Sequence, residues 1–292
     1  MEKDFYGECQ CRTCGKPAYY QVGGVPVCGR HKAGSSMKLP RNPDAKANFE
    51  KLLETHRSDI ERAASQRRHA GQPGSVRLMK MKMFRRNGDL LVKGHLSVFP
   101  NNRHQHLKEG FGCASLSPMR MGPVYHGQPG LPPATSIENF HQGSKWFAGR
   151  TKEEFREMQR KMFLDPEPQR HNPHAIKDKS GNKNIPKCFV WTDKEGSDHE
   201  LTYLQSRQFY CTFYQRFAEA SEDFKKLKSH LERGVDLCIC GYDARNGTVD
   251  PDKEYLDDSK PFGHELVLYT MLTVTDTQDY PWVKHKNPAF EF

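Results

Sequence analysis

A chain of 292 residues is long enough for one large domain with a small one, or for two of medium size. Its apolar fraction of 35% against 28% charged is low for a globular protein, which predicts long loops or insertions, and it has no run of 18 apolar residues, so no membrane span is expected. The net charge of +9 comes from the first 110 residues, which carry 21 Lys and Arg against 10 Asp and Glu, whereas the remainder carries 24 against 26; such a basic third suits nucleic acid or another polyanion, and serves solubility equally well.

The N-terminus, MEKDFYGECQ, lacks a basic stretch followed by an apolar one, so no signal peptide is expected. Nine cysteines, an odd number, then predict reduced thiols in a cytoplasmic or nuclear setting. Cys11 and Cys14 are two residues apart, and Cys28 and His31 repeat that spacing. Two such pairs are what a tetrahedral Zn2+ needs, because each tight turn presents two donors and the loop between them closes the site. Cys9 can take the place of Cys11. With all four positions filled by protein, such a zinc is structural, and residues 1–34 are expected to be a docking finger.

Residues 33–44 read as a Gly-, Ser- and Pro-bearing linker, followed from Ala45 to about Ala70 by an amphipathic helix, with Asp44 as N-cap and Gly71 as stop. Its basic end, Arg67, Arg68 and His69, suits the negative pole of the helix dipole. Met79, Met81 and Met83 alternate with lysines before Asn87-Gly88, which predicts a hairpin. Residues 100–134 look irregular, and His104, His106 and His126 within them lack a spaced metal-ligating partner. After a helix over Thr151 to Phe163 with a Thr151/Glu154 capping box, residues 164–187 are polar, contain prolines and read as an insertion. A short apolar run at Cys188 to Trp191 follows. A long helical stretch from Leu201 to about Arg233, with one break near Ala220, leads to a strand from Val235 to Cys240. A core helix in PFGHELVLYTMLTV and a tail from Asp276, read as an extended arm, complete the chain.

The stretch TSIENFHQGSKWF, Thr135 to Phe147, reads as a helix with Glu138, Gln142 and Lys145 at i, i+4 and i+7. At about 100° per residue these three share one face, while Phe140 and Phe147 point to the other side and face a core. A solvated face with Glu138 in a capping box from Thr135 accounts for the same spacing. What surrounds the stretch is what gives it a functional reading.

In order and spacing the pieces resemble the NADAR (YbiA-like) family, whose members cleave N-glycosidic bonds of ADP-ribose-type and related ribosyl compounds. The resemblance runs from Ala114 to Thr273. Leu116-Ser117-Pro118 matches the family's opening segment, and Glu138, Gln142 and Lys145 match its helix. The stretch Gly234 to Asp243 is similar to its late strand with an acidic residue, and Phe262 to Thr273 to its closing helix. The chain departs from the family at Asn139, where a His is usual, in lacking Trp-Gly after Asp243, and in residues 164–188, which have no counterpart.

Together with the readings above, the resemblance gives an expected α+β, predominantly helical fold: a small zinc module (1–34), a linker and helix (35–74), a NADAR-like domain with a small sheet, an N-terminal hairpin and an insertion at 164–187 (75–275), and a tail (276–292). It implies Glu138 and Asp243 as catalytic residues. It implies Gln142, Lys145 and a stacking Trp146 or Trp191 as ligand-binding residues. Expected partners are an ADP-ribosyl or other ribosyl N-glycoside and nucleic acid. The competing expectation is a non-catalytic nucleic-acid-binding or virion-type structural protein that keeps the fold.

Overall fold

The computed structural model describes residues 44–81, 88–177, 181 and 183–287, together with the backbone of three short strands ahead of them. The expected zinc ligands Cys11, Cys14, Cys28 and His31, with Cys9, lie outside the described residues. In chain order the elements are β1 (Tyr20–Val22), β2 (Val25–Val27), β3 (Met37–Lys38), α1 (Ala45–His69), β4 (Val76–Lys80), β5 (His95–Phe99), β6 (Gly110–Gly112), α2 (Ile137–Gly143), β7 (Lys145–Trp146), α3 (Lys152–Leu164), β8 (Cys188–Thr192), β9 (Asp198–Leu201), α4 (Tyr203–Ala220), α5 (Glu222–Glu232), β10 (Asp236–Gly241), α6 (Pro251–Leu256), α7 (His264–Thr273) and α8 (Pro281–Lys284). The chain is mixed α/β and 42% helical. No helix among the described residues is long and apolar enough to cross a membrane.

The chain divides into two compact units. The first comprises Met1–Phe99, His106–Gly112 and Ser229–Gly247, and the second Pro100–Gln105, Cys113–Lys228 and Thr248–Phe292. In the first, β4, β10, β5 and β6 form a parallel sheet in that order. The centre is β10, buried at every position, as a strand covered on both faces must be. Residues 82–87 of the expected hairpin lie outside the described residues. Val76–Lys80 and His95–Phe99 each pair with β10 rather than with each other, because an apolar central strand offers hydrogen bonds on both edges. Asp236 ties the sheet of this unit to α1, accepting from Ser75 N and Oγ and from Arg67 Nε at 2.8 Å. Part of the basic end of α1 is thus used internally.

The second unit contains the antiparallel sheet β7-β8-β9 and the helices α2, α3, α4 and α7. The predicted break near Ala220 occurs at Ser221, whose backbone is extended between α4 and α5. The predicted Thr151/Glu154 capping box is formed on α3, and α4 carries a second, unpredicted one, Thr202 with Gln205. The tail after Asp276 is not an extended arm. It coils into a 3-10 turn and α8, burying Trp282, whose indole donates to Gln215 at 2.8 Å. The five described cysteines, Cys113, Cys188, Cys211, Cys238 and Cys240, are buried.

Candidate active site

The Glu138 stretch is a seven-residue helix followed directly by a strand. Ser136, not Thr135, caps it: the Ser136 hydroxyl accepts from Asn139 N at 3.0 Å, while Thr135 donates its hydroxyl to Asp165 O. The glutamate-containing capping box expected from Thr135 is therefore absent, which leaves the Glu138 carboxylate available to partners further along the helix. Lys145 lies on β7, beyond the helix end at Gly143, so its position follows from the turn into the strand rather than from helical periodicity.

The inner face of α2 is fixed by aromatic packing. Phe140 is buried, with Phe213 at 5.1 Å edge-on, Phe163 at 5.8 Å and Trp191 at 6.5 Å. Burying one such ring contributes about 1.5–3 kcal/mol. Gly143 sets the approach of α2 to α3, since a Cβ there would lie 2.8 Å from the Phe163 ring. The start of the helix is tied to the Leu116-Ser117-Pro118 segment: Glu138 N donates to Pro118 O at 3.1 Å, and Tyr214 donates to Leu116 O at 2.8 Å.

On the outer face, Glu138, Gln142 and Lys145 form one chain of hydrogen bonds. Gln142 Nε2 donates to Glu138 Oε1 at 2.9 Å, and Lys145 Nζ donates to Gln142 Oε1 at 2.9 Å. All three are half-buried. Burial raises the Glu138 carboxyl above its ordinary range, against the opposing effects of the Gln142 hydrogen bond and the charges of Lys145, His264 and Arg170. Burial likewise lowers the Lys145 ammonium to about 8, with Glu138 opposing and Lys183 assisting. The Lys145 ammonium also lies 5.8 Å from the Phe189 ring centroid. An acid shifted up beside an amine shifted down is the pattern of groups kept for chemistry rather than for structure.

Three predicted residues take no part in this chain of bonds. Asp243 follows β10 in the first unit and is exposed, with its backbone carbonyl accepting from Arg245 Nη1 at 2.8 Å. The Glu138 group is assembled entirely from residues of the second unit. Trp146 is not a free stacking platform: its ring stacks on Phe155 at 5.5 Å, carries the Lys187 ammonium 4.6 Å from its centroid, and its indole donates to Arg150 O at 3.0 Å. Trp191 is buried against Phe209 at 4.2 Å. Both tryptophans are packing residues, as large aromatics on a sheet face usually are.

Several neighbours of the group carry no sequence motif. His264, at the start of α7, donates from Nε2 to Pro100 O at 2.7 Å, and its charge reaches Glu138. His141 packs against Phe189 at 5.4 Å and Tyr210 at 5.3 Å, and burial holds its imidazole well below the usual range, hence neutral. Asn139 is fully buried and donates to Thr135 Oγ1 (2.8 Å), Asp165 O (2.9 Å) and Glu167 O (3.1 Å), while its carbonyl accepts from Gln169 N at 2.6 Å. Its position one residue after Glu138 was the only signal in the sequence. Among the described residues there is no group of three or more His, Cys, Asp or Glu able to hold a metal ion.

Comparison of the chain with family models, curated proteins and solved structures gives no match. The functional reading therefore rests on the residues themselves.

Proposed function

We propose that the chain is an N-glycosidase of the NADAR type, hydrolysing ribosyl N-glycosidic bonds of ADP-ribosyl compounds, ADP-ribosylated nucleobases included. The observation that supports this is the bonded series Glu138–Gln142–Lys145, with the carboxyl raised and the amine lowered by burial. Cleavage of such a bond passes through an oxocarbenium-like state, so a carboxyl group beside the anomeric carbon serves twice. In its acid form Glu138 gives a proton to the departing nitrogen. As a carboxylate it offsets the positive charge on the sugar and then takes a proton from the attacking water, which restores the acid form. Gln142 holds the carboxyl in place and offers its amide to ribose hydroxyls. Lys145 supplies a point charge for a phosphate.

Asp243 has the exposed position described above, and the reading places the proton transfers on Glu138 alone. The first 34 residues belong to the same reading as a zinc-held docking module, with Cys11, Cys14, Cys28 and His31 as ligands and the basic third as a nucleic-acid-facing surface. Metal analysis of the purified chain is expected to give one zinc per molecule, lost in Cys14→Ser.

The deciding experiment incubates the protein with guanine-ADP-ribosylated DNA and with free ADP-ribosides, followed by product chromatography. Release of ADP-ribose by wild type and its loss in Glu138→Gln is the expected result. No release from any of these substrates, or undiminished release by the variant, overturns the proposal and leaves the non-catalytic reading.

A further inference from the structure

Residues 164–187 have no counterpart in the family the chain resembles, and a polar insertion is ordinarily a solvated loop. Here its first half is fastened to the helix that carries Glu138. Asn139 fixes Asp165, Glu167 and Gln169 by three of the hydrogen bonds already given. Three residues further on, Asn172 is also buried, and its Nδ2 donates to Gln142 O at 2.8 Å and to Lys145 O at 3.3 Å. Asn139 on α2 thus holds the backbone of the loop, and Asn172 on the loop holds the backbone of Gln142 and Lys145, whose side chains form the candidate site.

Between these two fastenings lie Arg170 and His171, both exposed. The charge of Arg170 acts on the Glu138 carboxylate. Downstream, Lys177 and Lys183 face each other across an antiparallel bridge, braced by Asn184 N donating to Ile176 O at 2.9 Å. Lys183 brings its ammonium 2.6 Å from His171 Nδ1, and its charge reaches Lys145. The His171 imidazole is lowered by burial and then by Lys183, Arg170, Lys145 and Lys177, with no acid among these influences. Asp165 is engaged within the loop itself, accepting from Glu167 N at 2.9 Å and Gln169 Nε2 at 2.7 Å.

The charges of four cations act on this imidazole: Arg170 and Lys145 also act on Glu138, and Lys183 touches the ring. Holding like charges together on a fastened loop costs electrostatic energy, which an incoming anion with several acceptor oxygens would offset. The lysine ammonium already donates to His171 Nδ1, so a phosphate would take over those donors and leave the imidazole free to bond in its turn. Arg170 supplies the planar fork suited to two phosphate oxygens, and Lys183 the point charge.

We propose that residues 165–177 together with Lys183 form a phosphate clamp, in which Arg170, His171 and Lys183 bind a phosphate group of the substrate next to Glu138, and Asn139 and Asn172 are the positioning residues. This inference rests on the proposed function for what is cleaved, but not for what is bound. The same phosphate chemistry is offered by the diphosphate of a free nucleotide and by the backbone of a single strand.

The test is binding by the full chain of two probes: ADP with adenosine as its phosphate-free control, by calorimetry, and a fluorescent single-stranded 12-mer, by anisotropy across a salt series. Arg170→Ala/Lys183→Ala removes the clamp, and Lys194→Ala/Lys225→Ala removes two exposed lysines elsewhere. ADP binding that exceeds adenosine binding and falls about tenfold in the clamp variant only assigns the free-nucleotide source. A 12-mer affinity whose salt slope drops by about 1.4 in the clamp variant only, as for two lost single-strand contacts, assigns the backbone source. Asn139→Leu, with its fold verified by circular dichroism, is expected to weaken the same probe, and Asn139→Gln to restore part of the loss. Equal binding by wild type and clamp variant, equal loss in both double variants, or no binding of either probe by wild type overturns the clamp. Clamp-dependent binding without cleavage would sink the glycosidase reading and leave the clamp standing. Cleavage that is indifferent to Arg170→Ala/Lys183→Ala would do the reverse.

Discussion

Two stretches of the second unit each bring a carboxylate and a lysine together, and they treat them in opposite ways. Where α3 meets β8 and β9, Asp198 accepts from Lys152 Nζ at 2.8 Å, from Thr192 Oγ1 at 2.8 Å and from the Arg156 guanidinium. Burial works to raise its carboxyl, but the bonds to Lys152 and Thr192 and the charge of Arg156 outweigh it and hold Asp198 below its ordinary range. Along α2, Glu138 accepts one amide, its lysine sits a further bond away, and burial prevails, so the carboxyl is raised. A carboxylate with every lone pair engaged by cations is a structural tie. One that is short of partners and shielded from water is a group whose proton can move. The contrast separates the two roles even though both regions are rich in charge, and although a groove of about 620 Å3 runs beside Asp198, Lys152 and Arg156.

The contrast breaks most directly when the two acids are neutralised in turn. Glu138→Gln is expected to lower the cleavage rate by ~10²–10⁴-fold, the usual contribution of a positioned acid or base, while Asp198→Asn leaves the rate per folded molecule unchanged. Initial rates normalised to the folded fraction decide it. Equal losses in the two variants would mean that charge alone, and not its environment, distinguishes them.

Stability should sort the same two variants in reverse. Asp198→Asn leaves Arg156, whose side chain is 15% exposed, without its counter-charge, and is expected to cost about 2–3 kcal/mol in urea unfolding. Glu138→Gln removes a poorly solvated carboxyl and is expected to be neutral or slightly stabilising. A Glu138→Gln chain less stable than Asp198→Asn would reverse the assignment. Between these lies Gly143→Ala, whose new methyl meets the Phe163 ring and displaces α2 from α3, with an expected cost of about 1–3 kcal/mol and a loss of cleavage beyond the loss of folded protein.

How much of this was legible beforehand follows the range of the interaction. Helix spans with strong periodicity or a Thr cap, such as α1, α3 and the α4–α5 break, are local and could be read. The pairing of β4 and β5 with β10 could not, because the partner lies some 160 residues later and a short-range hairpin signal at Asn87-Gly88 competes with it. At the site, Glu138 and Gln142 were legible as one turn of helix. Lys145 was found for a reason that does not hold, since it arrives by a strand. Arg170, His171, Lys183 and Asn172 had no periodic signal: their place depends on two buried asparagine side chains, and hydrogen bonds from a loop to a helix leave no spacing rule in the sequence.

The finest test of the α2 group is its lysine. Lys145 has its ammonium lowered to about 8 chiefly by burial, whereas an unfolded lysine titrates near ~10.4. Below about pH 8 both states hold the proton, and the cost of burying the charge is fully present. Between about 8 and ~10.4 the unfolded chain binds more protons than the folded one, so stability from this group rises with pH across that window and is level above it. Lys145→Met lacks the proton in both states. Wild type is therefore expected to gain about 1–3 kcal/mol relative to Lys145→Met between pH 7.5 and 10.5, measured as the difference of urea midpoints along a pH series. A phosphate contact through Lys145 adds a second expectation of the same origin: substrate binding weakens as the ammonium discharges near pH 8, so KM rises on the alkaline side in wild type and not in Lys145→Arg. A flat stability difference through the window would show that Lys145 is as well solvated as any surface lysine, and Glu138 would then lose the desolvated setting that separates it from Asp198.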